Sequence, residues 1–298
     1  MLVTRGAQQA LDLVARVLVS PGDVVAVEDP GYPPARDVFA AHGARVVPVP
    51  VDEEGLVVEA VPEDARVVYT TPSHQFPYGP PLSRARREVL LGLADRRGIA
   101  VVEDDYDSEF RFVQGPLPTL HALDTHGRVI YVGTYSKSLL PALRAGYLIA
   151  PESLRDALRA ARQLSDGYGD LAAEAALARL ISDGILAAHV RRARTAYAER
   201  RELRRTELDR VLGDHLRVVP SAAGLHLTAV FADRTVDDRA LVAAARADGV
   251  AVDALTAYSL AGDGRPGLVL GYGALRPASV TPGLALLARR VGQRATSR

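Results

Sequence analysis

The sequence contains no cysteine. Disulfides, thiolate metal sites and a cysteine nucleophile are therefore excluded, and a reducing cytoplasm is the default setting. It has no net charge either, with 36 basic and 36 acidic residues among 298. No overall field favours nucleic acid or an anionic membrane. No apolar run reaches the ~18 residues needed to span a bilayer. The start, "MLVTRGAQQALDLVARVLV", lacks a basic segment before a clean apolar core, so it does not read as a signal peptide.

The most informative scarcity is lysine. Lysine and arginine together number 36, and Lys137 is the one lysine, so 35 are arginine. A coding bias explains the arginines but not the exception. A desolvated ammonium can lose its proton and attack a carbonyl, whereas a guanidinium stays protonated. Lys137 is thus a candidate Schiff-base residue, set against a chance surface lysine.

Strand-like apolar runs occur at 23–28, 45–51, 66–70, 99–103, 128–133 and 146–150. They are continuous and β-branched, as expected of strands covered on both faces. Helical patterns at 8–19, 34–41 and 83–97 separate them, the last ending at Gly98. This alternation predicts an α/β fold with a mostly parallel sheet and ligands at the carboxyl ends of its strands. Helices follow at 152–164, 171–183 and 185–212, the last arginine-rich with interleaved acids that read as a solvated face. Strands at 216–219, 225–231, 250–252 and 268–272 and helices at 237–248 and 281–291 complete a smaller α/β unit. The expected division is 1–190 for the large domain and 191–298 for the small one.

Chemistry-bearing residues fall at the predicted strand ends. In "VVEDDYDSEF" a strand finishes at Glu103, and Asp104, Asp105, Tyr106 and Asp107 follow. Such a cluster suits a divalent metal, or one buried carboxylate paired with a cationic ring nitrogen beside a phenol donor, or merely a solvated turn. Thr134, Ser136 and Arg144 surround Lys137 and suit a phosphate. The Gly6–Ala7–Gln8 turn opens a helix, whose free N–H groups suit an anion. Two Pro/Gly-rich loops, "EDPGYPPAR" and "TPSHQFPYGPPLS", carry Tyr32 and His74. Tyr32 offers a flat face to a ring. His74 reads as polar loop surface, with a base as the alternative. Together these features ask for one ligand with a phosphate, a protonatable aromatic nitrogen, a phenolic oxygen and an aldehyde. Pyridoxal 5′-phosphate has all four.

The ordered set "TRGAQQALDL", "EDPGYPPAR", "TPSHQFPYG", "EDDYDSEFRF" and "TYSKSLLPALRAGYL" resembles fold-type-I pyridoxal-phosphate-dependent aminotransferases. More closely it resembles the aminotransferase-like domain of MocR-type regulators of the GntR family. The resemblance runs to about Pro151 and continues more weakly to "LGYGAL". It implies an aspartate aminotransferase-like fold with a large cofactor-binding domain and a small C-terminal α/β domain. It implies that Lys137 forms the Schiff base, Asp104 pairs with the pyridine nitrogen, Tyr106 bonds the ring's phenolic oxygen and Tyr32 stacks on the ring. Gly6, Ala7, Gln8, Thr134, Ser136 and Arg144 would hold the phosphate. A homodimer is implied, as are an amino acid or amine and a 2-oxo acid as substrates.

Departures exist. Phe76 stands where aminotransferases carry an asparagine, a feature shared with the MocR branch. The family's arginine for a substrate α-carboxylate belongs in the late strand, which here reads "GLVLGYG"; Arg265, just before it, is the remaining candidate. Met1 stands almost directly on the first strand, so the family's N-terminal arm and a winged helix are expected to be missing, and direct DNA binding by this chain is not expected. The readings are an aminotransferase, a sensor domain with little turnover, or an inactive fragment.

Overall fold

The computed structural model describes residues 1–112, 117–221, 223–262 and 264–295. Its first part runs β1 (Leu2–Thr4), α1 (Gly6–Leu18), β2 (Val24–Asp29), α2 (Pro33–Ala41), β3 (Arg45–Asp52), β4 (Gly55–Leu56), β5 (Ala65–Thr70), α3 (Arg84–Arg97), β6 (Ala100–Asp105), α4 (Leu120–Leu123), β7 (Val129–Thr134) and β8 (Gly146–Ile149). These strands form one eight-stranded sheet in the order β1-β8-β7-β6-β5-β2-β3-β4. The pairs from β7 through β6, β5 and β2 to β3 are parallel, and the outer pairs are antiparallel. This is the expected fold class. The strand order turns back between β2 and β5, and a crevice at such a turning point is where ligands of open α/β sheets bind.

The continuous apolar strands divide their side chains between two layers, because successive residues of a strand face opposite ways. Val25, Val27, Val67, Val102, Ile130 and Val132 pack with Leu11 and Val14 of α1. Val24, Ala26, Val68, Val101 and Val129 pack with Leu90 and Ala94 of α3. Helix α3 is delimited as its sequence demands. The Ser83 hydroxyl accepts from Arg86 N at its start, and Gly98 adopts the left-handed conformation at its end.

Helices α5 (Arg155–Asp166), α6 (Leu171–Ser182) and α7 (Ile185–Leu212) lead to β9 (Leu216–Val218), β10 (His226–Phe231), α8 (Asp238–Ala247), β11 (Asp253–Ala254), β12 (Gly267–Gly271) and α9 (Val280–Ala295). The second sheet has the order β11-β12-β10-β9 and is antiparallel throughout. Its core combines Leu208 and Leu212 of α7 with Phe231, Leu241, Leu268 and Leu287. Residue 190 lies within the first turns of the unbroken α7, which leads from one unit to the other.

Two local expectations are corrected. The strand foreseen at 250–252 lies instead at Asp253–Ala254, a two-residue edge pairing with β12. The arginine-rich face of α7 is solvated only in part. Arg205 and Arg210 pair with Glu202 and Glu207 on the surface. Arg200, Arg201 and Arg204 instead donate to the carbonyls of Gly273, Ser221 and Gly271 and tie the helix to the second unit. Burial pushes the Arg204 guanidinium down to about 10.

Leu11 is fully buried at the contact of α1 with the large sheet. We expect Leu11→Ala to lower the unfolding free energy by about 2–5 kcal/mol, read from urea denaturation.

Candidate active site

A cavity of about 550 Å³ opens at the carboxyl ends of the central strands. Its walls come from the start of α1 (Ala7, Gln8), the loops after β2 and β5 (Tyr32, Phe76), the ends of β6 and β7, and the second unit (His226, Tyr258, Val269). The sequence candidates Asp104, Tyr106, Tyr32, Ala7, Gln8, Thr134, Ser136, Lys137 and Arg144 all line it. Gly6 lies directly behind, under the Arg144 guanidinium. Arg265 does not reach it: the side chain is exposed before β12, and Val269 faces the cavity from that strand. Among the described lining residues the cationic side chains are those of Lys137 and Arg144.

Asp104 sits at the floor. Strand β6 continues through Asp105, two residues further than the sequence suggested, with Asp104 opposite Val132 and Asp105 opposite Gly133 of β7. Strand alternation therefore separates the two carboxylates. Asp105 accepts from the Tyr131 hydroxyl at 2.6 Å, while Asp104 Oδ2 accepts from Tyr69 at 2.8 Å. Asp104 is 3% exposed, and its Oδ1 has no hydrogen-bond partner among the described residues. Burial, then the charges of Asp105, Glu28 and Asp107, raise its pKa to about 7. A buried carboxylate with one unused oxygen at a cavity floor is built to meet a cation. Tyr69 escaped the sequence reading because it lies in an apolar strand. The available signal was a phenol at a buried strand end, which needs a partner.

Above the floor, Tyr106 follows β6. Burial, then Asp107 and Asp104, push its phenol well above the ordinary value, so it is a proton donor. Phe76 is the aromatic hub, edge-on to Tyr32 at 5.5 Å, Tyr106 at 5.8 Å and Tyr258 at 5.3 Å between centroids. The loops carrying Tyr32 and Phe76 are fixed together by the buried Glu28. It accepts from Thr71 N, the Thr71 hydroxyl at 2.7 Å and Gln75 Nε2 at 3.1 Å. Gln75 also donates to Pro30 O at 2.8 Å.

The far end is cationic. Helix α1 opens at Gly6, φ +76°, without a side-chain cap. Its first N–H groups are therefore left to another acceptor. Arg144 donates to Arg5 O at 3.2 Å. Thr134 and Ser136 form a hydroxyl pair at 3.0 Å. Lys137 lies in the turn after β7, exposed, with no hydrogen bond or ion pair among the described residues.

His74 corrects the sequence reading most sharply. It is 2% exposed, not loop surface. The ligand atoms of His74, Asp107 and His226 lie within 4.8 Å of one another, which is close enough for a metal ion. Hydrogen bonds among themselves and to Tyr106, Ser221 and Pro77 already occupy them.

Comparisons with known proteins give the family and the fold. The family model "Aminotransferase class I and II" matches residues 1–268, and the chain belongs to that family. The "Probable rhizopine catabolism regulatory protein MocR" of Rhizobium meliloti is 38% identical over 285 residues, covering 95% of this chain and 58% of that protein. "Aromatic-amino-acid aminotransferase 1" of Thermococcus litoralis is 31% identical, covering 84% of this chain and 62% of that protein. Among solved structures, Pyrococcus horikoshii kynurenine aminotransferase in complex with PMP superposes with a TM-score of 0.92 at 30% identity, covering 98% of this chain and 74% of that one. The chain thus spans less than two thirds of the length of these curated relatives. No helix among the described residues is long and apolar enough to cross a membrane.

The raised Asp104 pKa has a testable sign. A carboxyl whose folded pKa of about 7 exceeds its ordinary 3.8 contributes stability at low pH that is lost as pH rises through 7. In cofactor-free protein, Asp104→Asn should flatten the fall in stability between pH 4 and 8. At pH 8 it should exceed the parent by more than about 1 kcal/mol in urea unfolding. Equal pH slopes would show that the carboxyl carries no such burden.

Proposed function

We propose that the chain binds pyridoxal 5′-phosphate in this cavity and transfers an amino group between an amino acid or amine and a 2-oxo acid. The observation that carries the reading is the buried, unpartnered Oδ1 of Asp104 on the floor of the cavity that also holds the sequence's lone lysine. The donor set fits the group: a carboxylate for a ring nitrogen, a phenol for a ring oxygen, and hydroxyls, an arginine and a helix start for a phosphate.

When bound, the cofactor supplies an aldehyde for a primary amine and a protonated ring that accepts electrons from the substrate's Cα. Asp104, fixed by Tyr69, would keep the proton on the ring nitrogen. Arg144, Thr134, Ser136 and the start of α1 would bind the phosphate, and Tyr32 would hold the ring flat. Lys137 would join the cofactor covalently. Its neutral amine would also be the base that takes the proton from the substrate's Cα. Phe76 and Tyr258 would exclude water above the ring. A second copy of the chain is the proposed partner, since Leu140, Leu171 and Ile181 are large exposed apolar residues.

The second reading, a sensor domain with little turnover, is favoured by the similarity to the MocR protein over 95% of the chain. Both readings share the cofactor, and turnover on a panel of amines and 2-oxo acids separates them.

Addition of pyridoxal phosphate should produce a visible absorbance band. Borohydride should then fix the cofactor on Lys137, as read by peptide mass. Lys137→Ala should lose the covalent label and lower any transfer by a factor on the order of 10²–10⁴. Arg144→Ala should weaken cofactor binding about tenfold to a hundredfold, while Arg265→Ala should leave it unchanged. A pure chain that takes up no pyridoxal phosphate would refute the reading.

A further inference from the structure

His74 lies in the loop after β5 and is bonded at both ring nitrogens. Nδ1 is 3.0 Å from Asp107 Oδ2, 3.2 Å from its Oδ1 and 2.8 Å from the Tyr106 hydroxyl. Nε2 is 3.0 Å from Ser221 Oγ. The imidazole also stacks on the Tyr106 ring at 5.7 Å and on the His226 ring at 4.9 Å. Both His74 and Asp107 are buried, each with 1% side-chain exposure.

These contacts decide where the protons go. A carboxylate only accepts, so the nitrogen facing Asp107 must carry hydrogen. Nδ1–H donates to Asp107, and the Tyr106 oxygen, beside the same nitrogen, can only accept there. The phenol's own O–H is then left for the cavity that Tyr106 lines. The opposite arrangement, with the phenol donating to a bare Nδ1, would set that lone pair against a buried carboxylate.

The second unit holds the imidazole in place. Gly224 has φ +102°, and a Cβ there would lie 2.0 Å from His74 Cε1. Ser221 meets Nε2 from the same segment, its hydroxyl also 2.9 Å from Ala223 O. The titratable groups facing this cluster are Asp107 on His74, and Asp107, Asp104, Glu28 and Asp105 on the phenol. His226 is kept neutral, its pKa pushed down to about 3 by burial and then by His74. Its Nε2–H donates to Pro77 O at 3.0 Å.

We propose that His74 is a positioning residue: with Asp107 behind it, it turns the Tyr106 O–H into the cavity, where the phenol donates to the ring oxygen of the bound cofactor. This rests on the cofactor reading above. Donation to that oxygen favours its ionised form, so losing the bond moves the pH midpoint of the bound cofactor's visible absorbance upward.

Two near-isosteric variants of the full chain separate the nitrogens. His74→Asn keeps an N–H at the Nδ1 position. His74→Gln keeps a polar group near Ser221 but loses that N–H. With pyridoxal phosphate as the probe, His74→Gln and Tyr106→Phe should each raise the midpoint by about one pH unit, and His74→Gln should add nothing in the Tyr106→Phe background. His74→Asn should restore the parent midpoint. An unmoved midpoint in His74→Gln, equal shifts in both variants, or additivity with Tyr106→Phe would overturn the proposal. The ¹⁵N shifts of His74 in cofactor-free protein give an independent reading. Hydrogen on Nδ1 supports the proposal, and a ring protonated only at Nε2 overturns it even where pyridoxal phosphate binds. A parent chain that binds no pyridoxal phosphate overturns the cofactor reading and this inference with it.

Discussion

A carboxylate buried at the end of a central strand, with one oxygen bonded and the other not, constrains everything around it. Asp104 lies in the strand ladder itself, opposite Val132 of β7. An unpaired charge there is costly, so the fold either neutralises it or reserves it for a cation. The surroundings bring it no counter-charge: Glu28, Asp105 and Asp107 add negative charge, and among the described residues its direct bond comes from the neutral phenol of Tyr69. Such local frustration is characteristic of sites whose stability is traded for binding.

The cavity above Asp104 exists because two separately packed units meet across it. Their buried cores form separate clusters, and the first unit reaches the second through Tyr78, which packs against Val219, Val230, Leu255 and Val269. What joins them is part aromatic, with Phe76 edge-on to Tyr258 and Tyr78 packed on the second unit's valines, and part polar. His226 and Thr228 of β10 both donate to Pro77 O, next to Phe76. Asp29, at the end of β2, accepts from Leu260 N at 2.7 Å and Ala261 N at 2.9 Å. Gly31 N donates to Tyr258 O at 3.1 Å. The polar bonds fix relative position through their directionality, and the aromatic contacts wall the gap that remains.

Much of this was legible in the sequence because its signals are local. Continuous β-branched runs flanked by turn residues announced the parallel strands, and α7 begins and ends where its pattern does. Lys137 stood out as the lone lysine, Asp104 and Tyr106 through the family resemblance of their motif, and the structure brings them into one cavity. What was not legible depends on partners distant in the chain. His74 reads as a loop histidine until Ser221, Gly224 and His226, about 150 residues later, are folded over it. The arginines of α7 look like solvated charge because the carbonyls they serve lie in Ser221, Gly271 and Gly273. Arg265 was placed by proximity to β12 alone, and proximity in sequence does not set which way a side chain faces.

The scarcity of lysine gains meaning from how the arginines are used. Arg87 is buried and donates to the carbonyls of Leu82, Pro118 and Pro72. Arg86 holds Asp52 through both terminal nitrogens, and Arg290 clasps Asp248 through two of its own. These are tasks for a rigid, permanently charged fork, and each commits its side chain to one geometry. Lys137 is committed to no partner among the described residues, and it sits at the cavity mouth rather than in the packing. A chain that satisfies its structural need for cations with arginine has no packing reason to keep a lysine there. The role proposed for Lys137 supplies a chemical one, because only the amine can give up its proton and act as a nucleophile.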